Sequence, residues 1–508
     1  MLRCSACVSL NCFGLTSSET LTHTFPSAVY LIALSTKMNK KFDELVQNKR
    51  IVKSSFARNV SKNGNAIIWH SLFGYPKIIS RPTIEFLDLF RKPQSIEDVL
   101  SRYDLDGNFQ IIDELLESYF LVPEDFDERK LLKEKLKKYD DDIANGSAIE
   151  YLGLIISEAC NFRCAYCIHF SNLETSERIK NSKKIMSFEV AKKSVDWYLE
   201  ILKMHGKRAA RINFGGGEPL LAWQAIHDIL DYCTYSYGHI FDFQFSINTN
   251  ASLLTKEIAL KLKEHNVYIA SSLDGLREGN NLVRVTKDGK GTFDTIIHGF
   301  DILKAVGHPS KGISITVNEL NFPFLDEKFI DWTHQRDMRE VHIDIDAVNM
   351  VNIPVYNIVD KLMRLRQYAQ TKEIEISGFW ARPIENLNSS IIETRMAFCG
   401  ALLGNNICVS PVGNIYSCGY STTIIGTLSR IDSFNSPKGQ YHRFVRDNSI
   451  GTLDMCKDCT IEGQCGGGCN ITREFAATAK TVKIERMCDF YRQMTSELLL
   501  EQLQEIDA

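Results

Sequence analysis

Apolar runs and helical stripes alternate along residues 149–375, the longest patterned stretch of the chain. Runs of strand length are separated by segments of helical periodicity, such as the one after Ser187, whose apolar residues recur every three or four positions. Strand–helix units in this order predict an α/β fold, a parallel sheet curled into a partial (β/α)6 barrel with its chemistry at the C-terminal strand ends. The predicted strands are 151–157, 211–217, 242–250, 267–274, 312–318 and 341–348.

A small unit precedes this stretch, at residues 38–123. Two strand-like runs flank Gly74, which predicts a hairpin. Three helical segments follow, the first opening at Pro82 and the second capped by Ser95. Strands followed by three short helices predict a small winged-helix-like domain. Residues 124–148 are rich in charge and predict a helical linker to the barrel.

The two ends of the chain differ from these units. Residues 1–37 contain a single acidic residue, Glu19, and form an N-terminal extension. It is either a targeting segment or untranslated, with translation beginning at Met38. From residue 376 to 508 the chain carries Gly and Cys but little periodicity. We therefore expect cross-links, rather than a large core, to hold this C-terminal part together.

Composition narrows the class of protein. The chain has 508 residues, 44% of them hydrophobic and 24% charged, with 59 Lys and Arg against 63 Asp and Glu. This near-neutral balance argues against nucleic acid as a partner. No apolar run approaches the roughly 18 residues of a membrane span. The sequence therefore predicts a globular protein with neither a nucleic-acid nor a membrane partner.

Cysteine carries the chemical signal. Of 15 cysteines, eight lie between residues 399 and 488, and three follow the first predicted strand, at Cys160, Cys164 and Cys167. Such clusters in a large chain favour metal or iron–sulfur ligation in a reducing compartment, which predicts a cytoplasmic protein. Three thiolates can bind three irons of a [4Fe–4S] cluster and leave the fourth iron open to a small ligand. The alternatives are a chance cluster and a zinc site with a distant fourth ligand.

A glycine-rich turn follows the second predicted strand. Gly215, Gly216 and Gly217 remove side chains where the backbone must approach a ligand. Glu218 then offers a carboxylate suited to an ammonium group. Alone, such a motif is usually a tight turn. One strand–helix unit after the cysteine motif, it indicates a ligand site shared by the two loops.

Together these motifs resemble the radical S-adenosylmethionine (SAM) superfamily. The resemblance rests on CxxxCxxC with Tyr166 before its third cysteine, on GGEP at 216–219, on SSLDG at 271–275 and on LVRVTKDGKGTF at 282–293. It implies a SAM-binding [4Fe–4S] cluster on the three cysteines. The peptide- and sulfatase-modifying branch of the family also implies further SAM contacts, which are Tyr166, Gly216, Gly217, Glu218, Ser272 and Arg284.

Two of these motifs have other interpretations. Asp274 can be a turn residue and Arg284 a surface ion-pair partner. In NTNASLL at 248–254, Ala251 stands where the family has the glycine of Thr-Asn-Gly, which puts the ligand contact of that loop in doubt.

The C-terminal cysteines resemble the SPASM domain of radical SAM maturases, which carries two auxiliary [4Fe–4S] clusters. The resemblance thus implies three clusters in the whole chain. For Cys408, a buried apolar thiol is the alternative, and Cys233 is interpreted as a core residue. The implied ligands are Cys456, Cys459, Cys465 and Cys488 for one auxiliary cluster, and Cys399, Cys418 and Cys469, with Cys408 as candidate fourth ligand, for the other.

The unit at 38–123 resembles the recognition element that binds leader segments of ribosomally made precursor peptides. Such a module binds an extended peptide by strand addition, and a DNA-binding or packing winged helix is the alternative. The resemblance implies an enzyme that cleaves SAM with electrons from a reductant such as flavodoxin or ferredoxin. Its 5′-deoxyadenosyl radical would modify a precursor peptide, most simply through a thioether or carbon–carbon link.

Three other functions stay open. A formylglycine-generating sulfatase activator would carry a general-base Asp directly after Cys418, where this chain has Gly419. A maturase of a larger enzyme subunit would use the same clusters on a folded partner. A cluster-bearing electron-transfer or binding protein would have no need of Glu218 or Arg284.

Overall fold

The computed structural model describes residues 49–103, 110–168, 184–346, 352–389, 397–434, 436–437, 439–478 and 483–507. The expected extension at 1–37 lies outside the described residues. One hydrophobic core includes the barrel, much of the C-terminal region, and Ile67 and Trp69 of the N-terminal unit. Within the described ranges, no helix is long and apolar enough to cross a membrane.

Short antiparallel strands form the N-terminal unit. They are β1 (Ile51–Lys53), β2 (Ala57–Lys62), β3 (Asn65–His70), β4 (Gly74–Ser80) and β5 (Leu121–Pro123). β2, β3 and β4 form one sheet, and β1 pairs with β5. Asn63 and Gly64 have φ of 52° and 88°, the left-handed conformation that a two-residue hairpin turn requires. The hairpin predicted around Gly74 is confirmed as β3 and β4, whereas β1, β2 and β5 were not predicted.

Helices follow these strands and continue towards the barrel. They are α1 (Arg81–Asp88), α2 (Ile96–Leu100), α3 (Gln110–Glu117), α4 (Glu128–Lys137) and α5 (Asp140–Ala144). The predicted cap of α2 is confirmed, because Ser95 Oγ accepts a hydrogen bond from the Asp98 N–H at 3.0 Å. In α4, Leu132 packs in one cluster with Phe73 and Ile450. The charged segment therefore contacts both the N-terminal unit and the C-terminal region.

The centre of the molecule is a ten-stranded sheet. Its strands are β6 (Tyr151–Ser157), β7 (Ala209–Gly216), β8 (Asp242–Thr249), β9 (Tyr268–Ser272), β10 (Gly312–Val317), β11 (Glu340–Ile345), β12 (Glu375–Ser377), β13 (Asn406–Val409), β14 (Asn414–Tyr416) and β15 (Gly426–Thr427). Their order is β12-β11-β10-β9-β8-β7-β6-β13-β14-β15. All pairs from β12 to β13 are parallel, and β14 and β15 add antiparallel strands. The six predicted barrel strands are confirmed, although residues 347–348 of the last lie outside the described ranges.

Helices separate most of the barrel strands, as predicted. They are α6 (Phe188–Met204), α7 (Trp223–Tyr237), α8 (Lys256–Glu264), α9 (Arg277–Val283), α10 (Phe293–Ala305), α11 (Glu327–Gln335) and α12 (Val355–Gln370). The predicted apolar stripe lies on α6, where Val195, Tyr198 and Leu202 are fully buried. In β7, Ile212 and Phe214 are buried, whereas the residues between and after them are partly exposed. Asn213 and Gly215, on the partly exposed face of β7, line a cavity together with residues of β6 and β8, and we call this the inner face of the barrel.

The C-terminal region departs from expectation. It contains α13 (Arg382–Asn388), α14 (Gln440–Asp447), α15 (Glu462–Cys465), α16 (Asn470–Thr478) and the long α17 (Ile484–Asp507). The expectation that this region lacks a core is wrong, because Met487, Met494 and Leu498 of α17 are buried in the main core. These positions follow the helical period, a signal that the sequence analysis missed. β12 to β15 also extend the barrel sheet across the boundary predicted at residue 375.

Candidate active site at the carboxyl ends of the barrel strands

The loop after β6 carries the cysteines of the first motif, which we call the barrel group: Cys160, Cys164 and Cys167. Cys160 interacts electrostatically with the other two. Two backbone hydrogen bonds hold the loop, from Arg163 N to Val285 O at 2.7 Å and from Ala165 N to Val283 O at 2.9 Å. The loop is therefore attached to the segment that carries Arg284.

A buried carboxylate connects this loop to Arg284. Asp274 Oδ2 accepts hydrogen bonds from Tyr166 Oη at 2.5 Å and from Arg284 Nε at 2.7 Å. Its Oδ1 accepts from the Thr316 N–H at 2.9 Å. The side chains of Asp274 and Arg284 are 0% and 8% exposed. The interpretation of Arg284 as a surface ion-pair partner is therefore wrong, and Asp274 does more than form a turn.

Electrostatics keep Arg284 charged at this position. Burial alone would lower the pKa of Arg284, but the Asp274 carboxylate raises it above its ordinary value. The guanidinium faces Cys164, where burial raises the pKa of the thiol to about 11 while Arg284 opposes the rise. A cation beside a buried thiol favours the thiolate that a metal ligand must become.

The glycine-rich turn after β7 lies directly against the cysteine loop. A Cβ at Gly216, which has φ of 128°, would overlap Ser157 O, and one at Gly217 would overlap Ala159 O. The Gly217 N–H donates to Ser157 O at 2.7 Å and the Glu218 N–H to Ala159 O at 2.8 Å. These glycines therefore allow two backbone segments to approach each other, an explanation that the sequence analysis did not include.

Glu218 is fully buried beside this turn. Its carboxylate accepts hydrogen bonds from Leu220 N at 3.0 Å, Thr249 Oγ1 at 2.7 Å and Asn250 N at 2.8 Å. Burial raises the pKa of Glu218 to about 7, although these hydrogen bonds lower it. The carboxylate thus joins the end of β7 to the end of β8, and its contact with an ammonium group stays a prediction.

The ends of β8 and β9 supply the remaining predicted positions. Ser272 ends β9, partly exposed on the inner face. Ala251 has φ of 61°, a conformation that favours the glycine found in the family motif. Asn250 Nδ2 donates to Asn161 Oδ1 in the cysteine loop at 2.9 Å. This link and the role of Asp274 were missed, although the SSLDG motif contains Asp274.

The structure also brings together the first C-terminal group: Cys399, Cys408, Cys418 and Cys469. Cys418 interacts electrostatically with the other three. Cys408 lies on β13, and a Cβ at Gly153 of β6 would lie 2.5 Å from its Sγ. The backbone N–H groups of Gly153 and Gly419 hydrogen-bond to this sulfur, and burial raises the pKa of Cys408 to about 12. Whether Cys408 is a ligand or a buried thiol stays a prediction.

The second C-terminal group consists of Cys456, Cys459, Cys465 and Cys488. Cys465 interacts electrostatically with the other three. Arg492 of α17 lies close by, its Nη1 3.9 Å from Cys459 Sγ. Cys233 is buried in the core of α7, as its interpretation as a core residue requires.

Each cysteine group supplies three or four thiols, the number of protein ligands that a [4Fe–4S] cluster takes. Among the described residues, no group of three or more His, Cys, Asp or Glu side chains converges on a single-ion site. Each thiolate of a [4Fe–4S] cluster binds a different iron, so that finding does not concern clusters. In each of the three groups, one cysteine interacts electrostatically with all the others of its group.

A small cavity of about 30 Å³ lies between the glycine-rich turn and the first C-terminal group. It connects the inner faces of β6, β7 and β8 with the segment after Cys418. Its lining residues are Gly153, Leu154, Ile155, Asn213, Gly215, Gly216, Asn248, Cys408, Gly419 and Tyr420.

Comparison with known proteins agrees with this geometry. The radical SAM superfamily model matches residues 154–332. The radical SAM cyclopropyl synthase TigE of Paramaledivibacter caminithermalis is 24% identical over 468 residues, which cover 90% of this chain and 97% of TigE. An uncharacterized protein of Methanocaldococcus jannaschii is 30% identical over 279 residues, which cover 53% of this chain and 85% of that protein. This chain belongs to the radical SAM superfamily.

A solved structure has the same fold. Native anSMEcpe with bound AdoMet and Cp18Cys peptide matches with a TM-score of 0.56 and 18% identity. The match covers 70% of this chain and 99% of that one.

Proposed function

We propose that this protein reductively cleaves SAM and uses the resulting 5′-deoxyadenosyl radical to modify a ribosomally made precursor peptide. The observation that carries the proposal is the buried Tyr166–Asp274–Arg284 set against the barrel group, with Tyr166 Oη 2.5 Å and Arg284 Nε 2.7 Å from Asp274 Oδ2. An electron carrier needs no such pocket. Superfamily membership supports SAM and a [4Fe–4S] cluster as cofactors.

The barrel group would hold the cluster to which SAM binds. When bound, the cluster and SAM supply the radical that abstracts a hydrogen atom from the substrate. The chain's own residues would bind and orient SAM. Arg284, held in place by Asp274, offers a rigid cation, and the glycine-rich turn offers backbone groups. The SAM contacts we propose are Tyr166, Gly216, Gly217, Glu218, Ser272 and Arg284.

The C-terminal region would be a SPASM domain with an auxiliary cluster on each C-terminal group. Because cluster ligation cross-links loops, removal of iron should loosen this region. Oxygen-labile clusters require a reducing compartment, so we propose the cytoplasm, with flavodoxin or ferredoxin as reductant.

The substrate we propose is a precursor peptide whose leader binds the N-terminal unit by strand addition. Two observations support a peptide: the small sheet β2-β3-β4 beside short helices, and the peptide in the anSMEcpe structure, which has the same fold. The name of TigE, a cyclopropyl synthase, favours a new carbon–carbon bond over a thioether.

A sulfatase-maturating function is the second candidate, favoured by the similarity to the cysteine-type anaerobic sulfatase-maturating enzyme of Clostridium novyi, which is 24% identical over 344 residues. In that branch a general-base Asp follows the cysteine that corresponds to Cys418. Here Gly419 and Tyr420 occupy that segment and line the cavity, so no carboxylate stands there. We therefore rank this function below peptide modification.

The test is anaerobic incubation of the iron-loaded protein with SAM and dithionite. We expect 5′-deoxyadenosine, and about twelve irons per chain for three [4Fe–4S] clusters. Absence of 5′-deoxyadenosine would reject the enzyme, and about four irons would reject the auxiliary clusters. Co-expression with candidate precursor peptides, followed by mass spectrometry, then identifies the bond formed.

A further inference from the structure

Three consecutive glycines separate Cys465 of the second C-terminal group from Cys469, the last cysteine of the first C-terminal group. Gly466, Gly467 and Gly468 follow Cys465 and precede Cys469. Their φ angles are 54°, 82° and 70°, all in the left-handed region that other residues rarely adopt. The chain therefore makes a tight left-handed turn between the two groups.

Two side chains fill the inside of this turn. A Cβ at Gly467 would overlap Arg473 Nη1, and one at Gly468 would lie 3.0 Å from Cε2 of Tyr491. The left-handed backbone conformation favours glycine at these positions, and these side chains occupy the space beside the backbone. The turn encloses the guanidinium of Arg473.

The hydrogen-bond partners of Arg473 are neutral. Nη1 donates to Gly466 O at 3.3 Å, and Nη2 donates to Asn448 Oδ1 at 2.5 Å and to Asn470 Oδ1 at 3.1 Å. No ion pair of the described residues includes Arg473. The structure therefore holds a mostly buried cation in place without a carboxylate to balance it.

The charge of Arg473 faces both C-terminal groups. It interacts electrostatically with Cys469 and Cys399 of the first group and with Cys456 and Cys465 of the second. Burial lowers the pKa of Arg473 from its ordinary value, and these thiols oppose the change. A guanidinium stays protonated in proteins. The balancing negative charge is then that of the cysteine sites themselves.

We propose that Arg473 is a shared positive charge that stabilises the reduced, more negative state of the clusters bound by both C-terminal groups, and so raises the reduction potential of each. The inference rests on the two auxiliary clusters of the proposed function. Cluster potentials depend on net charge and hydrogen bonding around the sulfurs. A cation held in a low-dielectric site acts strongly on them.

Arg492 provides a matched control. Its Nη1 lies 3.9 Å from Cys459 Sγ, and its other partner is Asp489. It thus contacts the second C-terminal group alone, and its charge is balanced by a carboxylate. Removal of this cation should affect one cluster and not the other.

The experiment uses the full chain carrying C160A, C164A and C167A, so that only the C-terminal groups load iron. After anaerobic reconstitution, midpoint potentials are measured by redox titration followed by electron paramagnetic resonance, with Cys488→Ala used to assign the second group. For Arg473→Gln we expect both midpoint potentials to fall by at least about 59 mV. For a one-electron couple, this shift corresponds to a tenfold change in the ratio of reduced to oxidised cluster. Arg473→Lys should keep both midpoint potentials near their original values. Arg492→Gln should lower only the midpoint potential of the second C-terminal group.

Each outcome decides the question. Unchanged potentials in Arg473→Gln with full iron content overturn the inference and leave the proposed function intact. Loss of iron in both Arg473→Gln and Arg473→Lys shows a purely structural role and also overturns it. If the parent variant binds no iron, where about eight irons are expected, the auxiliary clusters of the proposed function are rejected and the inference with them.

Discussion

The barrel group and the second C-terminal group are held in place in different ways. The barrel group lies on a loop anchored by its nearest neighbours in the sheet, where Gly217 N and Glu218 N donate to Ser157 O and Ala159 O at 2.7 and 2.8 Å. In the second C-terminal group, Cys465 ends the short helix α15 and Cys488 lies on the long helix α17, whereas the segment from Cys459 to Cys465 is anchored by residues from the other end of the chain. Neighbouring strands of one sheet position the barrel group, and contacts between distant parts of the chain help to position the second C-terminal group.

The docking surface is the β3–β4 turn of the N-terminal unit. The indole N–H of Trp69 donates to Thr460 O at 2.9 Å, across 391 positions in sequence. The Gly463 N–H donates to Ser71 O at 2.7 Å. These contacts lie on the loop between Cys459 and Cys465. The unit that we propose to bind a peptide leader therefore also contacts the segment that carries two cysteines of the second C-terminal group.

A buried ion pair reinforces the docking. Arg129 of α4 contacts Glu462 at 2.9 Å, and the Glu462 side chain is 1% exposed. The same arginine reaches Asp458 at 3.1 Å. Because Glu462 lies between two cysteines of the second C-terminal group, the position of α4 and that of the cysteine loop depend on each other.

The largest effect should come from breaking the anchor of the barrel group. Asp274→Ala leaves the buried Arg284 cation without its partner, which costs about 3–5 kcal/mol of unfolding free energy. Asp294→Ala is the control, because it removes the exposed surface partner of Arg277 and should leave the unfolding free energy nearly unchanged. Anaerobic urea denaturation of both variants measures the difference. Equal small losses would contradict the buried role of Asp274.

The next effect tests the docked region. A Cβ at Gly463 would overlap Leu72 O, so Gly463→Ala should force the β3–β4 turn off the loop, at a cost of about 1–3 kcal/mol. We expect iron content to fall from about twelve towards eight per chain while SAM cleavage persists. Gly312→Ala is the control, since a Cβ there would overlap Glu340 O inside the barrel sheet, away from the docked turn, and should leave the iron content unchanged. Full iron content in Gly463→Ala would show that docking does not support the cluster site.

Acid should weaken the docked turn through His70. Burial and, second, the charge of Arg58 lower the pKa of His70 to about 3. Its Nδ1 accepts hydrogen bonds from Leu72 N at 3.3 Å and Phe73 N at 3.2 Å, which protonation would abolish. In the unfolded chain the His70 imidazole has a pKa near 6.5 and therefore binds a proton more readily than in the folded protein. The stabilisation is therefore complete above pH 6.5 and is lost as pH falls towards 3.

Proton linkage gives the size of this effect: the free energy of unfolding should fall by about 2 kcal/mol between pH 6.5 and pH 5. Besides Arg58, the charged residue near His70 is Glu128, which is linked to it through Ser54. The Ser54 hydroxyl donates to Glu128 Oε1 at 2.9 Å, and its oxygen lies 3.3 Å from His70 Nε2. Limited proteolysis of the N-terminal unit at graded pH measures the loss. His70→Asn should flatten the dependence, and an unchanged slope in that variant would exclude His70 as its source.

The smallest effect should come from removing one hydrogen bond, either at the docked N-terminal unit or inside the barrel. Trp69→Phe removes the bond to Thr460 O and should cost about 0.5–1.5 kcal/mol. Trp380→Phe removes the corresponding bond to Ile343 O, 2.8 Å long, inside the barrel. Only Trp69→Phe should speed proteolysis of the N-terminal unit. Equal acceleration by the two variants would indicate that the regions are not separately anchored.

The sequence predicted regular structure well and long-range contacts poorly. The barrel strands have the length and apolar content that make a period visible, whereas β13, β14 and β15 are two to four residues long and show none. The cysteine motifs were apparent because ligand spacing is local. The Trp69–Thr460 and Tyr166–Asp274 bonds join residues 391 and 108 positions apart, and a single sequence does not show how such distant segments meet. The core of α17 was detectable from its helical period and was missed.

One measurement tests the central claim most directly: formation of 5′-deoxyadenosine from SAM and dithionite by two cysteine variants of the iron-loaded full chain. With C160A, C164A and C167A combined, the account predicts no 5′-deoxyadenosine above background, whereas Cys488→Ala should retain SAM cleavage. If the triple variant produces as much 5′-deoxyadenosine as the unaltered protein, SAM is not cleaved at the barrel group and the account is wrong.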